Sequence, residues 1–142
     1  MKLSAKEKHA VKAMINLALN TKNKPRTLIE LAKHQGISLS YLEQLFALLR
    51  KGNLVKGARG PGGGYTLSVK PNNITIAQIL SAINITNQLG NSDKLDDKIW
   101  KEFSHKLFNY LNTITLDSII VGINKEETTN INNDIDRRLT AV

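Results

Sequence analysis

Ser38, Ser40, Tyr41, Glu43 and Gln44 crowd the start of a helical run, and Arg59-Gly60-Pro61-Gly62-Gly63-Gly64-Tyr65 follows soon after it. These residue types recognise a polyanion and the edges of its bases. The hydroxyls of Ser38, Ser40 and Tyr41 can bond phosphates. Gln44 can pair bidentately with adenine, and Glu43 can accept a hydrogen bond from cytosine N4. A glutamate aimed at DNA lowers general affinity, so in a groove it acts as a selector. The plain alternative for Glu43 is a capping box with Ser40. Arg59 suits the concentrated negative potential of a narrow A·T-rich minor groove. Gly60, Gly62, Gly63 and Gly64 let the backbone approach phosphates closely, and Pro61 stiffens the tip. An ordinary flexible hairpin is the alternative for this run. It is not a P-loop, because no Gly-Lys-Ser/Thr follows.

Other chemistry is scarce. His9, His34 and His105 are scattered without metal-ligand spacing. Asp93, Asp96 and Asp97 cluster where a long helix begins; they suit the positive end of a helix dipole, and a hard-cation site is the sharper reading. No Ser-His-Asp or paired-carboxylate pattern is visible, so no enzyme is expected. The chain has no cysteine, which removes disulfides, thiolate nucleophiles and Cys-ligated metals.

Elements must hold these residues in place, and 142 residues with 41% apolar content suffice for one domain with an appendage. The net charge of +8 is uneven. Residues 1–70 carry 13 Lys+Arg against 3 Asp+Glu, or +10, and residues 71–142 carry 7 against 9, or −2. A polyanion partner is therefore expected for the front half alone; a solvated basic surface is the bland alternative. No apolar run is long enough to span a bilayer, and the start Met1-Lys2-Leu3-Ser4-Ala5-Lys6 lacks a secretory pattern. A cytoplasmic protein without a membrane partner is expected.

Ser4 can cap a first helix to about Asn20, with Ala10, Val11, Met14, Ile15, Ala18 and Leu19 on one face. A loop follows to Pro25. Thr27 caps a short helix from Leu28 to about His34, with Glu30 completing a capping box. Gly36 supplies a tight turn. Ser38 or Ser40 then starts a helix to Lys51 whose Leu42, Leu45, Phe46 and Leu49 face a core. Two helices joined by a short glycine turn form a helix-turn-helix. Strands over Leu54 to Ala58 and Tyr65 to Val69 flank the glycine run, making a wing. Another helix lies within Ile74 to Asn84, and a polar loop covers Thr86 to Asp93. A long helix runs from Lys94 or Asp97 to about Asn112, a rod of roughly 27 Å. Its stripe of Ile99, Trp100, Phe103, Leu107, Tyr110, Leu111 and Ile114 reads as a dimer interface, with packing on its own subunit as the alternative. A short helix, Thr115 to Ile123, precedes a frayed tail.

The expected fold is thus mainly α with a small β-wing. A winged helix-turn-helix domain fills 1–83, a loop 84–96, a dimerisation helix and short helix 97–123, and a disordered tail 124–142.

The segment Gln35-Gly36-Ile37-Ser38-Leu39-Ser40-Tyr41-Leu42-Glu43-Gln44-Leu45-Phe46, with the Arg59 to Tyr65 motif, resembles the IscR-type family of winged-helix regulators in the Rrf-two superfamily. The likeness runs from Met1 to about Gly122, resuming at Ile99-Trp100-Lys101-Glu102-Phe103 and Leu111-Asn112-Thr113-Ile114-Thr115-Leu116. It implies a homodimeric, nucleoid-associated transcription regulator of iron–sulfur assembly or stress genes. It also implies double-stranded DNA contacts from Ser38, Ser40, Tyr41, Glu43, Gln44 and Arg59, with Glu43 discriminating operator classes; Gly60 and Pro61, next to Arg59 at the tip, are expected to bind DNA with it. The family holds a 2Fe–2S cluster with three cysteines and a histidine. The last cysteine falls at Lys94 here and the histidine at Asp97, and the loop is shorter. The cluster is therefore expected to be absent, with no metal in its place. An alternative is a regulator that senses a metal or small molecule through the Asp93–Asp97 loop. A protein-interaction module that no longer binds DNA is another, against which intact Ser40, Gln44 and Arg59 argue.

Overall fold

A computed structural model describes residues 3–20, 24–59, 63–84 and 95–127. Helix α1 is Ala5–Ala18, opened by a complete capping box in which the Ser4 hydroxyl accepts from Glu7 N–H and the Glu7 carboxylate accepts from Ser4 N–H. Helix α2 is Leu28–Gln35, capped by the Thr27 hydroxyl. The expected second half of that box is missing: Glu30 instead reaches Arg26 at 3.4 Å. Gly36 ends α2 with φ +67°, a left-handed residue that lets the chain turn sharply into α3, Leu39–Lys51.

Strands β1, Val55–Gly57, and β2, Tyr65–Leu67, pair antiparallel with Lys56 opposite Thr66. Both are shorter than expected. Arg26 adds a bridge on the other side of Tyr65, through N–H···O bonds of 3.0 and 2.8 Å. A 3-10 turn at Pro71–Asn73 leads into α4, Ile76–Ile83, opened by a Thr75–Gln78 capping box. Helix α5 is Leu95–Leu111, and a last helix, α6, covers 116–127. The four residues 124–127, expected to begin the tail, thus continue α6, and residues 95–96, expected in the loop over 84–96, belong to α5; residues 128–142 lie outside the described residues, as does the polar stretch Thr86 to Asp93.

One core unites these elements. Met14 of α1, Leu31 of α2, Leu42, Leu45, Phe46 and Leu49 of α3, and Ile79 and Ile83 of α4 are fully buried. The Phe46 and Tyr65 rings meet at 4.9 Å, fixing the wing on α3. Leu116 is also fully buried in this cluster. An isolated antiparallel bridge between Thr75 and Thr115 delivers it, with bonds of 2.9 Å from Ile76 N–H to Ile114 and from Leu116 N–H to Ile74. The start of α6 is therefore part of the front domain, across the boundary expected near residue 83. Most of α5 stays off this core: Leu111 packs on it, whereas Trp100 and Tyr110 are 64% exposed and Phe103 55%.

Candidate nucleic-acid interface

Helix α3 begins at Ser38, whose hydroxyl accepts from Tyr41 N–H at 3.2 Å. Ser40 therefore sits inside the helix, and the capping box expected between Ser40 and Glu43 does not form. Leu42, Leu45, Phe46 and Leu49 point into the core. Ser40, Glu43 and Gln44 lie on the opposite, exposed face at i, i+3 and i+4. With its capping role gone, Glu43 has its carboxylate on the face that a groove would meet.

Tyr41 also has a partner within the fold. Its side chain is half-buried against the core, and its hydroxyl lies 3.3 Å from His9 Nδ1, with the two rings edge to face at 5.5 Å. The phenol thus ties α3 to α1 through His9. Ser38 divides its hydroxyl between capping and any phosphate it meets.

Two residues of this face were missed in the sequence. Ala47 and Lys51, at i+7 and i+11 from Ser40, are both exposed on the same side of α3. Helical spacing from Ser40 was enough to find them. Ala47 carries no polar group to mark it as a reader, and Lys51 also suits the negative end of the helix dipole.

The wing hairpin closes where Ala58 N–H donates to the Gly64 carbonyl at 2.8 Å. Arg59 follows immediately and is exposed. Gly60 and Pro61 lie outside the described residues. Gly64 has φ +124°, and a Cβ there would stand 2.7 Å from the Arg26 carbonyl oxygen. The glycine is needed because the hairpin rests on the Arg26 backbone, a reason nearer than the expected approach to phosphate. The wing is thus braced from two sides, by the Arg26 backbone and by the Phe46 ring.

Of the acidic cluster, Asp97 falls in the first turn of α5, where its charge opposes the helix dipole favourably. Asp93 and Lys94 lie outside the described residues. Among the described residues no group of three or more His, Cys, Asp or Glu side chains converges on a point where a metal ion would sit, and no helix is long and apolar enough to cross a membrane.

Two helices joined by a left-handed glycine, with the second presenting a polar face beside a basic hairpin, define a winged helix-turn-helix protein. The Rrf2 family, described as an iron-dependent transcriptional regulator, matches residues 3–122, and the chain belongs to that family. The HTH-type transcriptional regulator IscR of Pectobacterium atrosepticum is 38% identical over 153 aligned positions, covering 99% of this chain and 92% of that protein. A putative HTH-type regulator of Haemophilus influenzae is 41% identical over 130 positions, covering 84% of this chain and 87% of its own length. Among solved structures, IscR of T. potens superposes with a TM-score of 0.74 at 33% identity, over 87% of this chain and 88% of that one. CymR, the global cysteine regulator of B. subtilis, gives 0.69 at 31% identity, over 84% and 95%. The chain is a transcription regulator of the IscR type.

Proposed function

We propose that this regulator binds double-stranded DNA as a homodimer, with α3 in the major groove and Arg59 in the flanking minor groove, and that it does so without an iron–sulfur cluster. The carrying observation is the face of α3: Ser40, Glu43 and Gln44 are exposed while every large apolar side chain of the helix turns inward or to its flank. Ser38 caps the helix that carries that face and Arg59 is exposed at the wing, with Gly60 and Pro61 next in sequence, and the +10 charge of residues 1–70 supplies the attraction to phosphate. Tyr41 contributes chiefly by bracing α3 on His9. Each subunit of a two-fold dimer would meet one half-site.

The donor set does not fit the family's cluster. Iron–sulfur clusters are held mainly by cysteine thiolates, and this chain has none. Lys94 cannot ligate while charged, and the Asp97 carboxylate is a hard oxygen donor suited to Mg or Ca. The alignment to the Pectobacterium IscR spans 153 positions against 142 residues here, so at least 11 of its positions have no counterpart in this chain. That difference accords with the shortened ligand loop. Iron–sulfur assembly or stress genes are the proposed targets, and the cytoplasmic nucleoid the proposed place of action.

A mobility-shift assay on an operator selected from random duplexes tests the reading. Arg59→Ala should weaken specific binding by about 1–3 kcal/mol. An unchanged affinity would remove the wing from the interface.

A further inference from the structure

We propose that Ala47 reads the C5-methyl group of a thymine, as a specificity determinant beside Glu43 and Gln44. This rests on the reading of α3 as the major-groove helix. Ala47 lies three residues after Gln44, four after Glu43 and seven after Ser40, on the face opposite Leu42, Leu45, Phe46 and Leu49. Unlike those four it is exposed. Lys51 is exposed one turn further on. The face thus reads, from the helix start, hydroxyl, carboxylate and amide, methyl, ammonium.

A methyl is blind to donors and acceptors. The base-edge feature it can distinguish is the thymine methyl, the apolar group that sets A·T apart in the major groove. Alanine's small size serves the polar readers too, since a longer side chain at this position would hold Glu43 and Gln44 away from the bases. One helical turn is about 5.4 Å and base pairs are about 3.4 Å apart along a strand. The thymine should therefore lie one or two base pairs from the pair met by Glu43 and Gln44. The lysine beyond Ala47 is long enough to reach a phosphate, which would press the methyl against the groove floor.

The test uses the full chain and an operator selected from random duplexes. Each thymine is replaced in turn by uracil, which keeps Watson–Crick pairing and removes only the methyl. At one thymine, next to a position sensitive to Gln44→Ala, the wild-type protein should lose roughly fourfold in affinity. Ala47→Gly should bind the thymine and uracil operators equally. Because glycine weakens a helix, Ala47→Ser is the second variant; in a repeated selection its preference at that position should move away from thymine. If Ala47→Gly does not fold, the serine variant carries the same comparison. The proposal is overturned if no thymine is sensitive, or if the uracil effect is the same in wild type and in both variants; specific binding then persists and the DNA reading stands. Failure to select any operator would overturn that reading and this proposal together.

Discussion

At Glu7 one carboxylate fastens two helices. It accepts from Ser4 N–H at 2.7 Å and from the Asn84 amide at 2.8 Å, joining the start of α1 to the end of α4. Burial pushes its pKa up, but the hydrogen bonds from Ser4 N–H, the Asn84 amide and the Ser4 hydroxyl outweigh this, and the net shift is downward. A carboxylate whose folded pKa lies below its unfolded value adds stability above the unfolded range, near 4.3, and that stability is lost as pH falls through the folded value. Replacing Glu7 with Gln should therefore lower the urea midpoint near neutral pH and flatten its decline in acid. Parallel curves for the two proteins across the acid range would show that Glu7 carries no such linkage.

The start of α3 separates two serines that look alike in sequence. Ser38→Ala removes the cap bond to Tyr41 N–H and should cost about 1 kcal/mol of stability. Ser40→Ala removes an exposed hydroxyl inside the helix, so stability should stay within about 0.5 kcal/mol while DNA affinity falls. Thermal melts with binding curves on both variants check this division; equal melting losses would contradict it. Element types and order were legible because each left a local signal. Ser4, Thr27 and Gly36 mark helix ends by their own backbone chemistry, and the 3–4 spacing of Leu42, Leu45, Phe46 and Leu49 announces a buried face. Two serines within one turn of each other offer the same local signal, so the choice between Ser38 and Ser40 was not legible. Nor was the partner of the Tyr41 hydroxyl, because His9 lies 32 residues away in sequence. The role of Gly64 was hidden for the same reason: its constraint is the distant backbone of Arg26.

At the scale of the whole molecule, α5 leaves Trp100, Phe103 and Tyr110 more than half exposed, with the Trp100 and Phe103 rings 6.0 Å apart. An apolar surface of this kind is the mark of an interface. Phe103→Glu places a charge where a single subunit tolerates it and a dimer does not. Light scattering at micromolar concentration should give a dimeric mass for the wild type and a monomeric mass for the variant, with unchanged helix content. A monomeric wild type would refute the dimer. Anaerobic treatment with iron and sulfide should leave the protein colourless and its operator affinity unaltered, and a charge-transfer absorption band would contradict the cluster-free reading. The burial of Leu116 has a consequence for how the molecule comes into being. The bridge from Thr75 to Thr115 spans 40 residues, and the side chain it delivers is fully buried in a cluster whose other buried members, among the described residues, all lie at or before Ile83. On a translating ribosome, the helix-turn-helix and wing would emerge first with that place unfilled. The stable domain then waits for α5 to be made, so a nascent chain completes its core only after the exposed apolar face of α5 has been synthesised.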